Sequence, residues 1–363
     1  IDVSGEQVPL HDELIAALPT RAQSFVRSLH PEGLIDFRWR SERPTAAQPA
    51  SEKTLALTLA DCAIRYDPFP YPIRNVRGLV TGKNDVWTLH DLEGRGSQQS
   101  AMVTVGGQSQ PTATGRTLQL TITGNQIPLD DKLRQALKPQ TQAIWQQLGP
   151  RGKVNFIAQV THQTVGDTPG KPQVQVTVEP HQDTVSLDPT FLPNPYRLEK
   201  LAGRYVLADG RVTMTDVRVR HGRVTAAAAG VWQPMADGGW NLALDRLNVD
   251  HLTPSRELVA AMPGWMREAV DRLRPHGTFS LYDSRVELTR PADATTPTTS
   301  AWNINLLCHQ ADVTCGVPLT GVSGSVQLVG KSDGTRGYTT GELPLDSRAW
   351  RDVQFTQLRG PWW

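Results

Sequence analysis

The feature that most constrains how this chain folds is one pattern of residues that occurs three times. Each copy has leucines or a methionine at helical spacing, a proline, a second apolar pattern, Pro-x-Gly and an alternating run, and the copies lie at 8–40, 127–159 and 249–283. The interrupting prolines recur at intervals of about 120 residues and are Pro19, Pro139 and Pro263. Because both the residues and their spacing recur, the pattern predicts three tandem units, at 1–115, 116–238 and a truncated 239–363.

The rest of each unit alternates apolar and polar residues, which is typical of strands with one face in an apolar setting and the other in water. We therefore predict a mainly β fold, an elongated and twisted antiparallel sheet in which each unit has about five or six strands and a proline-broken helix pair. The apolar positions expected to face inward are Ile35, Phe37, Trp39, Leu55, Leu57, Leu59, Val154, Phe156, Val174, Val176, Val178, Phe279, Leu281, Trp302, Ile304 and Leu306.

Polar runs rich in proline and threonine separate the first two strands of each unit, at 41–54, 161–172 and 290–300. They predict long, exposed hairpin loops.

A second recurring segment is "DPFPYPIRNVRGLV" (67–80), with counterparts at 187–206 and 311–329. Its glycine recurs, but its prolines vary in number and position. A docking motif needs prolines at fixed spacing, whereas a bend needs only an interrupted ladder, so the variation favours a bend before a new strand.

Three groups of residues are candidates for chemistry. Cys308, His309 and Cys315 could supply metal ligands, but adjacent residues of a strand point to opposite faces, and Cys308 continues an apolar alternation, so we predict a core cysteine and no metal. The acidic pairs Asp12–Glu13 and Asp130–Asp131 favour helix starts over a general acid/base pair, with Ser255 as a cap and Pro254 just inside the third helix start.

The basic run at 218–224 is the third candidate group. It predicts arginines on a solvated strand face and a solvated histidine, with a phosphate or lipid-headgroup contact as the alternative.

Lys and Arg number 37 against 36 Asp and Glu, so no net charge favours nucleic acid. No P-loop, nucleophile elbow, zinc-protease motif or dinucleotide fingerprint occurs, and no ionisable group recurs at an inward position. We therefore expect neither an enzyme nor a cofactor.

The period, the strand content and the recurring string of "LxxAL–P", "PxG", "FPYP" or "NPY" and a glycine resemble the AsmA-like/TamB-like family of envelope proteins. The resemblance implies a curved sheet whose apolar face stays open to phospholipid acyl chains that slide between membranes. It also implies a periplasmic location in a membrane-anchored parent, of which we expect this chain to be a fragment. The inward apolar positions would then line a lipid groove.

Two alternatives remain open from the sequence. The sheet can curl on itself and close its apolar face. The chain can also be a structural or adhesive scaffold that contacts a protein partner through the loops at 41–54, 161–172 and 290–300.

Overall fold

The chain is mainly β, with 63% of its residues in strands and 14% in helices. The computed structural model describes residues 1–18, 20–43, 51–166, 168–293, 295–314, 316–342, 345–350, 353–358 and 361–362. Pro19, half of the first predicted loop (44–50) and Cys315 lie outside these ranges. The chain divides into two compact units, unit 1 (1–144 and 151–181) and unit 2 (145–150 and 182–363).

Unit 1 is an antiparallel meander in which each long strand pairs with the next along the chain. The last long strand, β10, pairs back on β8, and the short β9 pairs with the end of β8. The strands are β1 (Asp2–Pro9), β2 (Glu32–Glu42), β3 (Glu52–Tyr66), β4 (Phe69–Lys83), β5 (Val86–Arg95), β6 (Met102–Thr112), β7 (Gly115–Pro128), β8 (Lys153–Val165), β9 (Thr168–Pro169) and β10 (Gln173–Pro180).

Unit 2 repeats this meander from β11 to β17, after which β18 and β19 pair with different parts of β17. β20 then pairs with β19, and β21 with β18. The strands are β11 (Glu199–Ala208), β12 (Arg211–His221), β13 (Val224–Pro234), β14 (Trp240–Leu252), β15 (His276–Arg290), β16 (Thr299–Thr314), β17 (Pro318–Ser332), β18 (Gly337–Glu342), β19 (Leu345–Trp350), β20 (Val353–Leu358) and β21 (Pro361–Trp362).

Short helices follow β1, β7 and β14 in pairs, and a single 3-10 turn (Gln182–Thr184) precedes β11. The helices are α1 (Asp12–Ala16), α2 (Thr20–Ser28), α3 (Asp131–Ala136), α4 (Pro139–Leu148), α5 (Arg256–Ala261) and α6 (Gly264–Leu273). The predicted helix starts are confirmed: Asp130 and Ser255 are N-caps that accept backbone N–H bonds at 3.0 and 3.1 Å. Pro254 lies before the Ser255 cap and not inside the helix, because the cap itself keeps extended backbone angles.

Each unit has a small cluster of buried apolar residues. In unit 1, Leu14 of α1 packs with the buried Ile35, Cys62 and Val76. In unit 2, Phe279 and Cys308 centre a second cluster with Val322 and Val326. Cys308 is 5% exposed, which confirms it as a core residue. These clusters leave most of each sheet uncovered by a fully buried layer.

The hairpin connections are shorter than predicted. β8 continues to Val165, because the residues from Thr161 to Val165 pair with β7, so the predicted loop at 161–172 is wrong over its first half. β2 and β3 likewise extend to Glu42 and from Glu52. The segment at 67–80 is a two-residue turn followed directly by β4, as the bend prediction requires.

Candidate functional site

The candidate site is the apolar face of each sheet, which the strand register builds from every second residue. In unit 1, residues directly opposite each other in antiparallel strands share a face. One unbroken row crosses β2 to β10 and consists of Phe37, Leu57, Val80, Leu89, Gly107, Leu120, Val160 and Val174. A second row passes through Leu92, Val105, Ile122, Ala158 and Val176.

The structure brings together the sequence-predicted positions of unit 1 on this face. They are Ile35, Phe37, Trp39, Leu55, Leu57, Leu59, Val154, Phe156, Val174, Val176 and Val178. Phe279, Leu281, Trp302, Ile304 and Leu306 share the corresponding face of unit 2. Each unit therefore carries its own continuous apolar face.

The exposure of these side chains is uneven. Ile35, Val154 and Phe279 are 6%, 8% and 6% exposed, whereas Val174 is 45% exposed at the last strand of unit 1. The remaining predicted positions are half-buried. The face is therefore covered at the helix pairs and partly open elsewhere.

The whole chain exposes 22382 Å². Two separate compact proteins of half its mass would together expose about 17,000 Å². An excess of accessible surface is expected where the faces of an antiparallel sheet are incompletely covered.

Aromatic side chains of the apolar faces each lie against a glycine of the neighbouring strand. A Cβ at Gly5 would be 2.6 Å from Cε1 of Phe37, and a Cβ at Gly330 would be 2.6 Å from Cζ2 of Trp302. Phe156 covers Gly124 in the same way. Sequence reasoning found these aromatics but not their glycines, because the pairing depends on strand register.

In unit 2 the helix α6 contacts this face through one aromatic pair. Trp265 of α6 stacks on Trp302, with ring centroids 5.1 Å apart and an interplanar angle of 8°. The same Trp265 ring lies against Gly337, where a Cβ would clash. α6 thus covers the edge of the unit 2 face near β16 and β18.

A tyrosine in the proline-rich segment of unit 1 ties a strand to a helix start. The buried Tyr71 hydroxyl donates to Ser97 Oγ at 3.3 Å and accepts from the Ser97 backbone N–H at 3.0 Å. Ser97 Oγ in turn donates to Asp130 Oδ2 at 2.6 Å, and Asp130 caps α3. We call this set the Tyr71 tether.

Unit 2 has a second set, the Tyr196 tether, built from different chemistry. Tyr196 stacks on His221 with ring centroids 3.9 Å apart. His221 Nδ1 donates to the Arg197 carbonyl at 2.7 Å, and its Nε2 lies 3.2 Å from Glu257 Oε2 in α5. Burial and the nearby Glu257 carboxylate raise the pKa of Tyr196.

The prediction that His221 is merely solvated is wrong, because Tyr196 and Glu257 cover its ring. The predicted solvated face is nevertheless present on the same strand, where Arg218 and Arg220 are exposed. A recurring tyrosine in the segments "FPYP" and "NPYR" was the signal that could have revealed both tethers.

The candidate metal ligands do not converge in the described part of the chain. Cys308 lies in the core and His309 is exposed on the opposite face, where its Nε2 is 3.0 Å from Ser280 Oγ. Burial raises the pKa of the Cys308 thiol to about 11. Among the described residues, no group of three or more His, Cys, Asp or Glu is placed to hold a metal ion.

None of the helices in the described ranges combines the length and apolar character that a membrane crossing needs. Comparison of the chain with protein-family models, with curated proteins and with solved structures found no match in any of the three.

Proposed function

We propose that the chain is a non-enzymatic lipid-binding protein that holds or conducts phospholipid acyl chains along its apolar faces. The observation that carries the proposal is the continuous, half-exposed apolar row from Phe37 to Val174 in unit 1. An apolar sheet face is stabilised when another apolar group packs on it and removes it from water, and exposure to water is its least favourable state.

The chemistry of the row suits an acyl chain better than a small polar ligand. Its members are aliphatic or aromatic with one glycine, and it offers no charged side chain along its length. Each methylene removed from water contributes about 0.8 kcal/mol, so a few methylenes suffice for binding without a specific pocket. A uniform lining gives similar free energy at each position, which permits sliding.

We further propose that the fold consists of three tandem units, as in the AsmA-like/TamB-like proteins that the sequence resembles. Two sets of glycines at corresponding places support this. Gly33, Gly152 and Gly277 have φ of 118°, 109° and 105°, and Gly78, Gly203 and Gly324 have φ of 137°, 118° and 120°. These left-handed angles favour glycine, so each set marks the same backbone irregularity.

A recurring bulge also supports the units. The backbone N–H of Gln7 donates to Asp36 Oδ1 at 2.7 Å, and that of Gln126 donates to Asn155 Oδ1 at 2.9 Å. Both glutamines have positive φ and precede a helix pair. On this proposal the chain acts in the bacterial envelope, in the periplasmic part of a membrane-anchored parent.

The test is native mass spectrometry with lipid extraction on the purified chain and on a Phe37→Asp/Val176→Asp variant. Both substitutions place a carboxylate on the apolar face of unit 1. We expect phospholipid to accompany the parent protein and to be lost from the variant.

The matched control is Thr54→Asp/Gln175→Asp, which adds the same charges on the opposite face of β3 and β10. It should keep its lipid. Circular dichroism must show both variants folded. A folded parent chain that carries no lipid and takes up none from vesicles would refute the proposal and favour the protein-partner scaffold.

A further inference from the structure

We propose that the opposite, polar face of unit 1 binds a neutral glycan chain along β6, β7 and β8. The surface, here called the Thr/Gln face, is defined by Thr104, Gln108, Gln119, Thr121, Gln159 and Thr161. The register places Gln108 opposite Gln119, Gln119 opposite Thr161 and Thr121 opposite Gln159. These side chains therefore form adjacent polar rows on one face, on the side away from Leu120 and Val160.

The first observation is the absence of charge. The only charged residues anywhere in β6, β7 and β8 are Arg116 and Lys153, near strand ends. Solvent-exposed strands normally carry charged side chains, which also discourage aggregation. In unit 2, by contrast, β15 alone carries Asp283, Arg285 and Glu287 in its interior.

The second observation is unused hydrogen-bonding capacity. In the described part of the chain, the exposed side-chain amides of Gln108, Gln119 and Gln159 have no protein partner. The polar face of unit 2 pairs its groups internally, as where the Asn241 amide donates to Glu287 at 2.9 Å and to Thr289 at 3.0 Å. Free amides on the Thr/Gln face can each donate and accept at once.

The third observation is a depression in the middle of this face. A shallow, open cleft of about 720 Å³ is lined by Gln108, Gln119, Thr121, Gln159 and Thr161, with His90 and Asp91 at one side. Gly106 occupies a polar-face position in β6 and contributes no side chain. A Cβ there would lie 2.9 Å from Asp91 Oδ1, so the glycine keeps the cleft floor low.

These properties select the chemical class of the ligand. A nucleic acid or an anionic membrane would need cationic side chains, which the face lacks. A stable protein interface would need a cluster of aromatic or aliphatic anchors at its centre. The Thr/Gln face has one exposed aliphatic side chain, Ile157, which lies opposite Thr123 in its outer row. A neutral polyhydroxyl chain needs amides and hydroxyls that donate and accept, in rows along an open cleft. The geometry points to a glycan.

The experiment is affinity electrophoresis of the full chain in native gels containing dextran, pullulan, laminarin or hydroxyethylcellulose, followed by calorimetry with maltohexaose and chitohexaose. We expect retardation by at least one of these neutral glycans. Gln108→Ala/Gln119→Ala/Gln159→Ala should weaken the binding by at least about 10-fold, because each of the three lost neutral hydrogen bonds contributes about 0.5–1.5 kcal/mol.

Two further variants separate shape and location from general effects. Gly106→Thr preserves the polar chemistry but raises the cleft floor, and it should also weaken binding. Gln233→Ala/Gln327→Ala removes the same kind of side chain from unit 2 and should bind as the parent chain does. Urea unfolding checks that each variant is folded.

Three outcomes would overturn the proposal. One is the absence of retardation by all four polysaccharides together with silent calorimetry. Another is equal binding by the triple variant and the parent chain. The last is a dimer in analytical ultracentrifugation that the triple variant abolishes without any glycan binding, which would assign the face to a second copy of the chain. Lipid binding to the opposite face can fail or succeed independently of all three.

Discussion

The Tyr71 tether and the Tyr196 tether both connect a proline-rich segment to the start of a later helix, yet they use different interactions. Tyr71 is 4% exposed, and its hydroxyl is fixed by Ser97, which is bonded to the cap residue Asp130. Tyr196 is half-buried and stacks on His221, whose two ring nitrogens meet a carbonyl and the Glu257 carboxylate.

In both tethers a tyrosine from a proline-rich segment lies beside the groups that hold a helix start, although the interacting groups differ. In unit 1 a neutral hydroxyl network holds the helix start, whereas in unit 2 a ring stack and an ionisable pair do so. Substitutions should therefore separate the two tethers by the size of their effects.

The largest difference is expected from removing the rings. Tyr71→Ala should lower the free energy of unfolding by about 3–5 kcal/mol, because it leaves a cavity at a buried site and removes the hydroxyl that accepts from the Ser97 backbone N–H. Tyr196→Ala should cost about 1–2 kcal/mol, because its ring is partly exposed already. Urea unfolding followed by circular dichroism measures both. Equal losses would show that the two tyrosines are equally important to their units.

The two buried thiols offer a second comparison between the units. Burial raises the pKa of Cys308 from 9.0 to about 11 and raises that of Cys62. At pH 8 the Cys308 thiolate is about 100-fold rarer than in an unfolded chain, so labelling by a disulfide reagent should be at least that much slower in the native protein. A Cys315→Ser background leaves these two thiols as the reactive sites.

The pH dependence of stability follows from the same shift. A thiol whose pKa is raised on folding contributes stability that is fully present below the unfolded value. That contribution is lost as pH rises from about 9 toward about 11. Cys308→Ala should flatten this alkaline loss in urea titrations. Rapid native labelling of Cys308 at pH 8 would contradict the buried placement.

The smallest difference is expected at the helix caps. Asp130 accepts from both Leu133 N–H and Ser97, whereas Ser255 accepts from Leu258 N–H. Asp130→Ala should cost about 1–2 kcal/mol and Ser255→Ala about 1 kcal/mol or less. The informative measurement is Asp130→Ser, which restores the cap alone. Full recovery by serine would show that the bond to Ser97 adds nothing.

The alternation of apolar residues predicted the mainly β fold and the face on which Phe37 and Val176 lie, because successive side chains in a regular strand point to opposite faces. The same reasoning placed Cys308 in the core and the acidic pairs at helix starts. It missed how far β8 extends, because Thr161 and Gln163 resemble loop residues until β7 is there to pair with them.

Periodicity alone determined that the chain is mainly strand, which face the predicted apolar residues take and where helix pairs interrupt the strands, because these features depend on neighbours in sequence. Tertiary structure decided which glycine lies beneath Phe156, which partners hold Tyr71 and Tyr196, and which polar groups stay unpaired on β6, β7 and β8. Those features depend on register between strands, since a shift of one residue would move every side chain to the other face.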